Sequence, residues 1–193
     1  MRLIDDLLGS QVERPSVVTV GSFDGLHVGH RRLVADIVGR AREIDGQSVL
    51  VTFHPHPRAV LRPWLSPKVL TTPGEKAVLL AQWGLDVLVL LRFDLELARM
   101  PAPDFVRLLV KRLRMRELWV GEHFALGRGR EGDLAALRRM GAEWDFAVHV
   151  VEPVLVDGRV ISSTWIRELL VAGQVSEARR LLGRPYSLAG EVV

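Results

Sequence analysis

The chain has 193 residues, of which 48% are apolar and 25% charged, with 17 glycines, 10 prolines and no cysteine. Those fractions are ordinary for a folded domain, so disordered, collagen-like and low-complexity readings fall, and about 190 residues suffice to bury a core. The formal charge is only +3, and without cysteine there can be no disulfide, thiolate metal site or cysteine nucleophile.

The first fifteen residues carry Asp5 and Asp6 where a signal peptide needs a bare apolar stretch. The longest aliphatic run, Val87 to Leu91, falls far short of the roughly 20 residues that span a bilayer. A soluble, cytoplasmic protein is expected. Val17 to Phe23 reads as a strand, and Gly29 to Ile44 as an amphipathic helix with Leu33, Ile37, Val38 and Ala41 on one face. A second strand covers Val49 to Phe53. Pro55, Pro57, Pro63 and Pro67 then forbid a long helix. A helix runs from Pro73 to Trp83, with proline in its first turn as helices prefer. It is followed by a strand at Val87 to Leu91, a helix at Asp104 to Leu113 and a strand at Leu118 to Gly121. A glycine-rich loop leads to a short helix, Asp133 to Met140, and a strand, Phe146 to Val151. Val154 to Ile161, broken at Asp157-Gly158, reads as a hairpin. Helices at Thr164 to Val171 and Ser176 to Leu182 end the pattern.

Apolar strands alternating with helices predict an α/β fold with a doubly wound parallel sheet, covered on both faces. Ligands of such sheets sit beyond the carboxyl ends of the strands. The residues after Phe23, Phe53, Leu91, Gly121 and Val151 are therefore the candidates.

After the first strand comes Gly21-Ser22-Phe23-Asp24-Gly25-Leu26-His27-Val28-Gly29-His30. Its glycines allow a tight turn, and two histidines three apart at a helix start share a face where free N–H groups attract anions. That suits phosphate. The plainer alternative is a glycine-rich turn with two partly exposed histidines. A metal reading lacks a third ligand at useful spacing. Farther on, Ile161-Ser162-Ser163-Thr164-Trp165-Ile166-Arg167 places three hydroxyls before a helix and an arginine one turn later. One hydroxyl is an ordinary cap; the set could equally hold phosphate oxygens, with Arg167 adding a charge-assisted contact. Two such helix starts in one α/β domain point to a polyphosphate.

Other features weigh less. Gly127 to Gly132 matches G-x-G-x-x-G with Glu152 twenty residues on, but His123 to Leu126 separate it from the preceding strand, so a mobile loop is the better reading. His54-Pro55-His56-Pro57 is either a stiff wall beside a planar ring or a simple break in the chain. His149 reads as structural, and Asp94 and Glu96 as solvated loop charges. Lys68, Lys76 and Lys111 are the only lysines, and Trp64, Trp83, Trp119, Trp144 and Trp165 are scattered. With neither a basic stripe nor a stacking stripe, no nucleic-acid partner is expected. Oligomeric state is not legible.

The strand–GSFDGLHVGH–helix segment resembles the HxGH signature of adenylyl- and cytidylyltransferases, and ISSTWIR resembles the second motif of that superfamily. FHPHPRAVL, LTTPGEK, VGEHFALGRGREGD, ISSTWIR and LGRPYSLAGEVV stand in the order seen in bacterial FAD synthetases, the FMN adenylyltransferase modules of bifunctional riboflavin kinase/FMN adenylyltransferases. The likeness runs from about Ser16 to the end. It implies a Rossmann-like nucleotidyltransferase domain over residues 1–186, with 187–193 the stub of a junction to a riboflavin kinase domain, and no kinase activity from this chain. Where the family usually has Asn or Asp, this chain has His123; Leu126 stands for a usual Phe and Trp165 for a common Arg.

The resemblance further implies FMN and ATP giving FAD and pyrophosphate. An FMN phosphate is largely a dianion near neutral pH, its second pKa being about 6, so it needs no strong general base. His27, His30, Ser163, Thr164 and Arg167 are the implied catalytic residues, the histidines donating to phosphate oxygens and the others holding the leaving phosphates. Gly21, Ser22, Phe23, Asp24, Gly25, Gly29 and Ser162 complete the implied ATP site. Phe53, Pro55, His56, Pro57, His123, Phe124 and Leu126 form the implied FMN site. Mg²⁺ is expected on ATP phosphates, with no metal site of the protein's own. The alternatives are an HxGH adenylyltransferase with another phosphorylated acceptor, and a non-catalytic flavin- or nucleotide-binding module.

Overall fold

The computed structural model describes residues 1–188; the last part of the expected junction, residues 189–193, lies outside the described residues. A six-stranded parallel sheet forms the centre. Its strands are β1 (Arg2–Ile4), β2 (Ser16–Val20), β3 (Gln47–His54), β4 (Val87–Arg92), β5 (Met115–Gly121) and β6 (Ala147–Val151), in the spatial order β1-β4-β3-β2-β5-β6. The expected doubly wound α/β architecture is thus observed. From β2 the chain winds outward through β3 and β4, then returns to add β5 and β6 on the other side. The order therefore reverses at β2, and the crevice beyond β2 and β5 is where such folds bind ligands.

Strand residues alternate between two cores, which explains why the runs read as continuously apolar. Val17, Leu50 and Leu88 face α1 (Val28–Glu43), which contributes Val34, Ile37, Val38 and Ala41. Leu80 of α3 (Pro73–Gln82) joins the same layer. Val18, Val49, Val51, Val87 and Val89 face the opposite layer, built from Phe105, Val106, Leu109 and Leu113 of α5 (Ala102–Leu113) and Leu137 and Met140 of α6 (Leu134–Trp144). A third cluster, Leu70, Ile161, Ile166, Leu169, Ala178, Leu181 and Leu182, seats α7 (Ser163–Val171) and α8 (Val175–Leu182). The hairpin at Asp157-Gly158 is present as β7 (Leu155–Val156) and β8 (Arg159–Val160).

Two short elements go beyond the sequence reading and one reading needs correction. The N-terminal residues add an edge strand, β1 pairing parallel with β4; three residues are too short for a periodic signal. The proline-rich segment is not all loop. It holds a one-turn helix, α2 (Pro57–Leu61), and a 3₁₀ turn at Pro63–Leu65, both with proline at the start where it is tolerated. Asp94 is not a loop charge: its carboxylate accepts from the Leu97 N–H at 2.9 Å and caps α4 (Leu95–Arg99).

Candidate functional site

Beyond Val20 the chain turns through Gly21 to His27 into α1. Phe23 (φ 44°), Gly25 (φ 81°) and Leu26 (φ 41°) are all left-handed, a conformation that costs the two non-glycine residues energy. Gly25 also has no room for a side chain, since a Cβ there would lie 2.8 Å from Leu70 Cδ1. The strained path is held by side chains from distant elements. The Ser22 carbonyl accepts from Lys76 Nζ (2.6 Å) and Thr52 Oγ1 (3.0 Å). The Gly25 N–H donates to Thr71 Oγ1 (3.0 Å), and the Asp24 carbonyl accepts from Ser163 Oγ (2.8 Å).

His27 is the N-cap of α1. Its Nδ1 accepts the His30 N–H at 3.3 Å, which leaves the proton of the neutral ring on Nε2. The two imidazoles are stacked, centroids 3.6 Å apart and planes 18° from parallel, and the Phe23 ring meets His30 edge-on at 5.0 Å. His27 is not partly exposed, as the plainer reading had it, but buried. Burial pulls its pKa down to about 4, with Asp24 opposing and Arg184 adding to the shift. His30 is pushed well below the ordinary histidine value by burial, then by His27 and Lys76. Both rings are therefore neutral at physiological pH. His30 Nδ1 is buried without a hydrogen-bond partner among the described residues. An orphaned imidazole nitrogen at a helix N-terminus is a place for a ligand.

The second motif meets the first directly. Ser162 caps α7, its Oγ accepting the Trp165 N–H at 3.2 Å, while Thr164 is exposed at the first turn. Arg167 pairs through Nη2 with the buried Asp24 carboxylate and donates from Nε to the Lys68 carbonyl at 2.7 Å. Asp24 also accepts the backbone N–H groups of Leu70 (3.0 Å) and Thr71 (3.1 Å). Arg167 thus ties the two motifs and the segment before α3 together, and its charge is shared with Asp24. Lys76 has no such partner. It is buried, no carboxylate forms an ion pair with it among the described residues, and burial lowers its pKa while Asp24 partly offsets the shift. Lys76 was missing from the sequence-derived site. Its signals were its place in LTTPGEK and the capping box of Thr72 and Glu75, which fixes the start of α3 and so aims the next residue at the loop.

The residues implied for the acceptor divide. Phe53, next to last in β3, is half-buried, its ring 5.5 Å from that of Phe93. Pro55, in a cis peptide bond after His54, is exposed. His56 caps α2, Nδ1 accepting the Arg58 N–H at 3.1 Å, and Pro57 follows at the helix start. His123 is exposed beside Glu122, and Phe124 packs half-buried on the main core. Leu126 does not stand with His123: it is buried in the main core and pairs by backbone with Gly132. Nor is the glycine-rich loop free. The Arg128 N–H donates to the Met100 carbonyl at 2.9 Å, and Glu131 Oε1 accepts the Ala102 N–H at 2.8 Å, capping α5.

A parallel sheet whose order reverses beside two polar helix starts, with the buried Lys76 behind them, is an α/β fold of the doubly wound class. Residues 9–165 match the family model described as FAD synthetase, and the chain belongs to that family. The Escherichia coli (strain K12) bifunctional riboflavin kinase/FMN adenylyltransferase is 35% identical over 196 residues, covering 100% of this chain and 63% of that protein. The chain thus spans less than two thirds of that relative. A shorter relative from Geobacillus thermodenitrificans (strain NG80-2) is 40% identical over 173 residues, 89% of this chain and 92% of that one. A Streptococcus pneumoniae crystal structure described as a macrolide-efflux protein superposes with a TM-score of 0.83 at 28% identity, covering 95% of this chain and 70% of that one.

Proposed function

We propose that the chain is an FMN adenylyltransferase, making FAD and pyrophosphate from FMN and ATP, with residues 1–186 as the working unit. The observation that carries this reading is the stacked, neutral His27–His30 pair at the start of α1, with one ring nitrogen unpartnered and an unpaired buried lysine behind it. Such a site favours a polyanion over a cation or an apolar ligand. Family membership selects the acceptor.

An oxygen of the FMN phosphate attacks the α-phosphorus of ATP. One P–O bond forms, the bond from the α-phosphorus to the bridging oxygen breaks, and pyrophosphate leaves with the electron pair. His27 Nε2–H and the α1 amides donate to the α-phosphate as charge shifts there. The Ser163 N–H and the N–H and hydroxyl of Thr164 hold the departing phosphates at the start of α7, the Ser163 hydroxyl being bound to the Asp24 carbonyl, and Arg167 acts through Asp24 to keep that helix against the loop. Alignment of two bound reactants supplies much of the rate. A magnesium ion, if carried by ATP, would be held by the nucleotide's own phosphates and water and would shield their charge. The residues present fit that arrangement, because the one buried carboxylate at the loop, Asp24, is already taken by Arg167, Leu70 and Thr71.

The efflux description of the Streptococcus structure is not carried over, since among the described residues no helix is long and apolar enough to cross a membrane. The test is chromatography of products from FMN with MgATP, with riboflavin supplied in parallel. FAD from FMN, and no FMN from riboflavin, is expected. ATP binding without FAD would redirect the search to other phosphorylated acceptors.

A further inference from the structure

The family match ends at residue 165, yet the loop that carries His27 is completed by a residue beyond it. Gly183 stops α8 in a left-handed cap (φ 70°), and the chain turns back across the start of α1. There the Arg184 guanidinium donates from Nη2 to the Gly25 carbonyl (2.9 Å) and from Nη1 to the Leu26 carbonyl (3.0 Å), with a longer contact to the Leu182 carbonyl (3.4 Å). It is half-buried and pairs with no carboxylate among the described residues. This half-buried guanidinium serves only main-chain oxygens among the described residues.

Its two main acceptors are the left-handed residues directly before His27. Lys76 treats the Ser22 carbonyl the same way, and Ser163 that of Asp24. Carbonyls drawn toward these donors are carbonyls kept off the ligand. The N–H groups of the α1 start are then left facing the space where an anion would enter.

We propose that Arg184 is a positioning residue of the nucleotide site: by bridging the carbonyls of Gly25 and Leu26 it holds the strained loop, and with it His27, in the geometry that receives the ATP phosphates. This rests on the function proposed above only for the identity of the nucleotide. The guanidinium fork is what makes the bridge, since a lysine ammonium at the same place reaches one carbonyl at a time.

The test uses the full chain with Arg184→Ala and Arg184→Lys, and with Arg180→Ala as a control that loses only exposed pairs, to Asp157 and Glu177. Three quantities are read: the melting temperature, the affinity for MgATP by calorimetry, and the His27 tautomer by ¹⁵N NMR without ligand. Arg184→Ala is expected to remain folded, to bind MgATP at least tenfold more weakly, and to lose the single Nε2–H form of His27. Arg184→Lys should fall between, and added guanidinium should restore part of the affinity of Arg184→Ala. If Arg184→Ala does not fold, Arg184→Lys decides alone. Wild-type affinity and an unchanged His27 tautomer in a folded variant would overturn the proposal, as would a loss of stability alone. The tautomer reads the loop without turnover, so a wild-type chain that makes no FAD counts against the proposed function and not against this clamp.

Discussion

The imidazole of His27 lies on that of His30 at 3.6 Å, and the helix amide that belongs to His30 is bonded to the ring of His27. The pair is therefore one unit, set by the first turn of α1 and kept neutral by burial. Polyphosphate arriving at such a pair raises the affinity of both rings for protons.

The pH dependence follows in sign. His27 takes up its proton at about pH 4 when folded and near 6.5 when unfolded. Between those values the unfolded chain binds more protons, so stability is complete above about pH 6.5 and falls as pH drops toward 4. His27 alone accounts for about 3 kcal/mol of that loss. His30 acts in the same direction. Urea denaturation at pH 5, 6 and 7.5 should show the decline, and His27→Asn should make it shallower, leaving the share of His30. A flat wild-type profile would mean that the rings are open to water.

Asp24 is the pin of the site. Removing its carboxylate leaves Arg167 half-buried without its counter-charge and strips Leu70 and Thr71 of an acceptor. Asp24→Ala should cost about 3–5 kcal/mol. Asp24→Asn, which can still accept, should cost less. Denaturant midpoints check both, and a neutral Asp24→Ala would show that the ion pair does not persist in solution.

Lys76 separates stability from function. Lys76 donates to the Ser22 carbonyl, but Thr52 Oγ1 reaches the same oxygen, so that acceptor keeps a partner when the lysine is removed. Lys76→Met should therefore unfold within about 1 kcal/mol of wild type while kcat/KM for ATP falls roughly 100-fold. It should also raise the pKa of His30, because one of the charges repelling its proton is gone. Loss of stability with normal kinetics would assign Lys76 to the fold alone.

Most of the sheet and the two helix starts could be read from the residues, because continuous apolar strands and hydroxyl or proline signals are local. The edge strand Arg2–Ile4 and the helix capped by Asp94 could not: each is too short to show a period, and both depend on neighbours supplied by the fold. The same holds for the site. His27 and Ser163 announce themselves by spacing, whereas Lys76 acts across 54 residues of chain and Arg184 across 159; a capping box can fix where a helix starts, but it does not mark which distant carbonyl a side chain serves.

Leu126 and His123 are close in sequence but are set apart by burial, and a pair of variants tells them apart. Leu126 is 8% exposed and packs in the core with Ala102 and Phe105, so Leu126→Ala should destabilise by about 2–4 kcal/mol through the cavity it leaves. FMN affinity of the folded fraction should stay near wild type. His123 has its side chain in solvent, where it meets only the exposed Glu122, and the contact from Arg130 Nη2 goes to its carbonyl, which a substitution leaves in place. His123→Ala should leave the melting temperature unchanged, and any effect should appear in the KM for FMN. If Leu126→Ala instead weakened FMN binding at full stability, the leucine would have to turn out of the core when the acceptor binds.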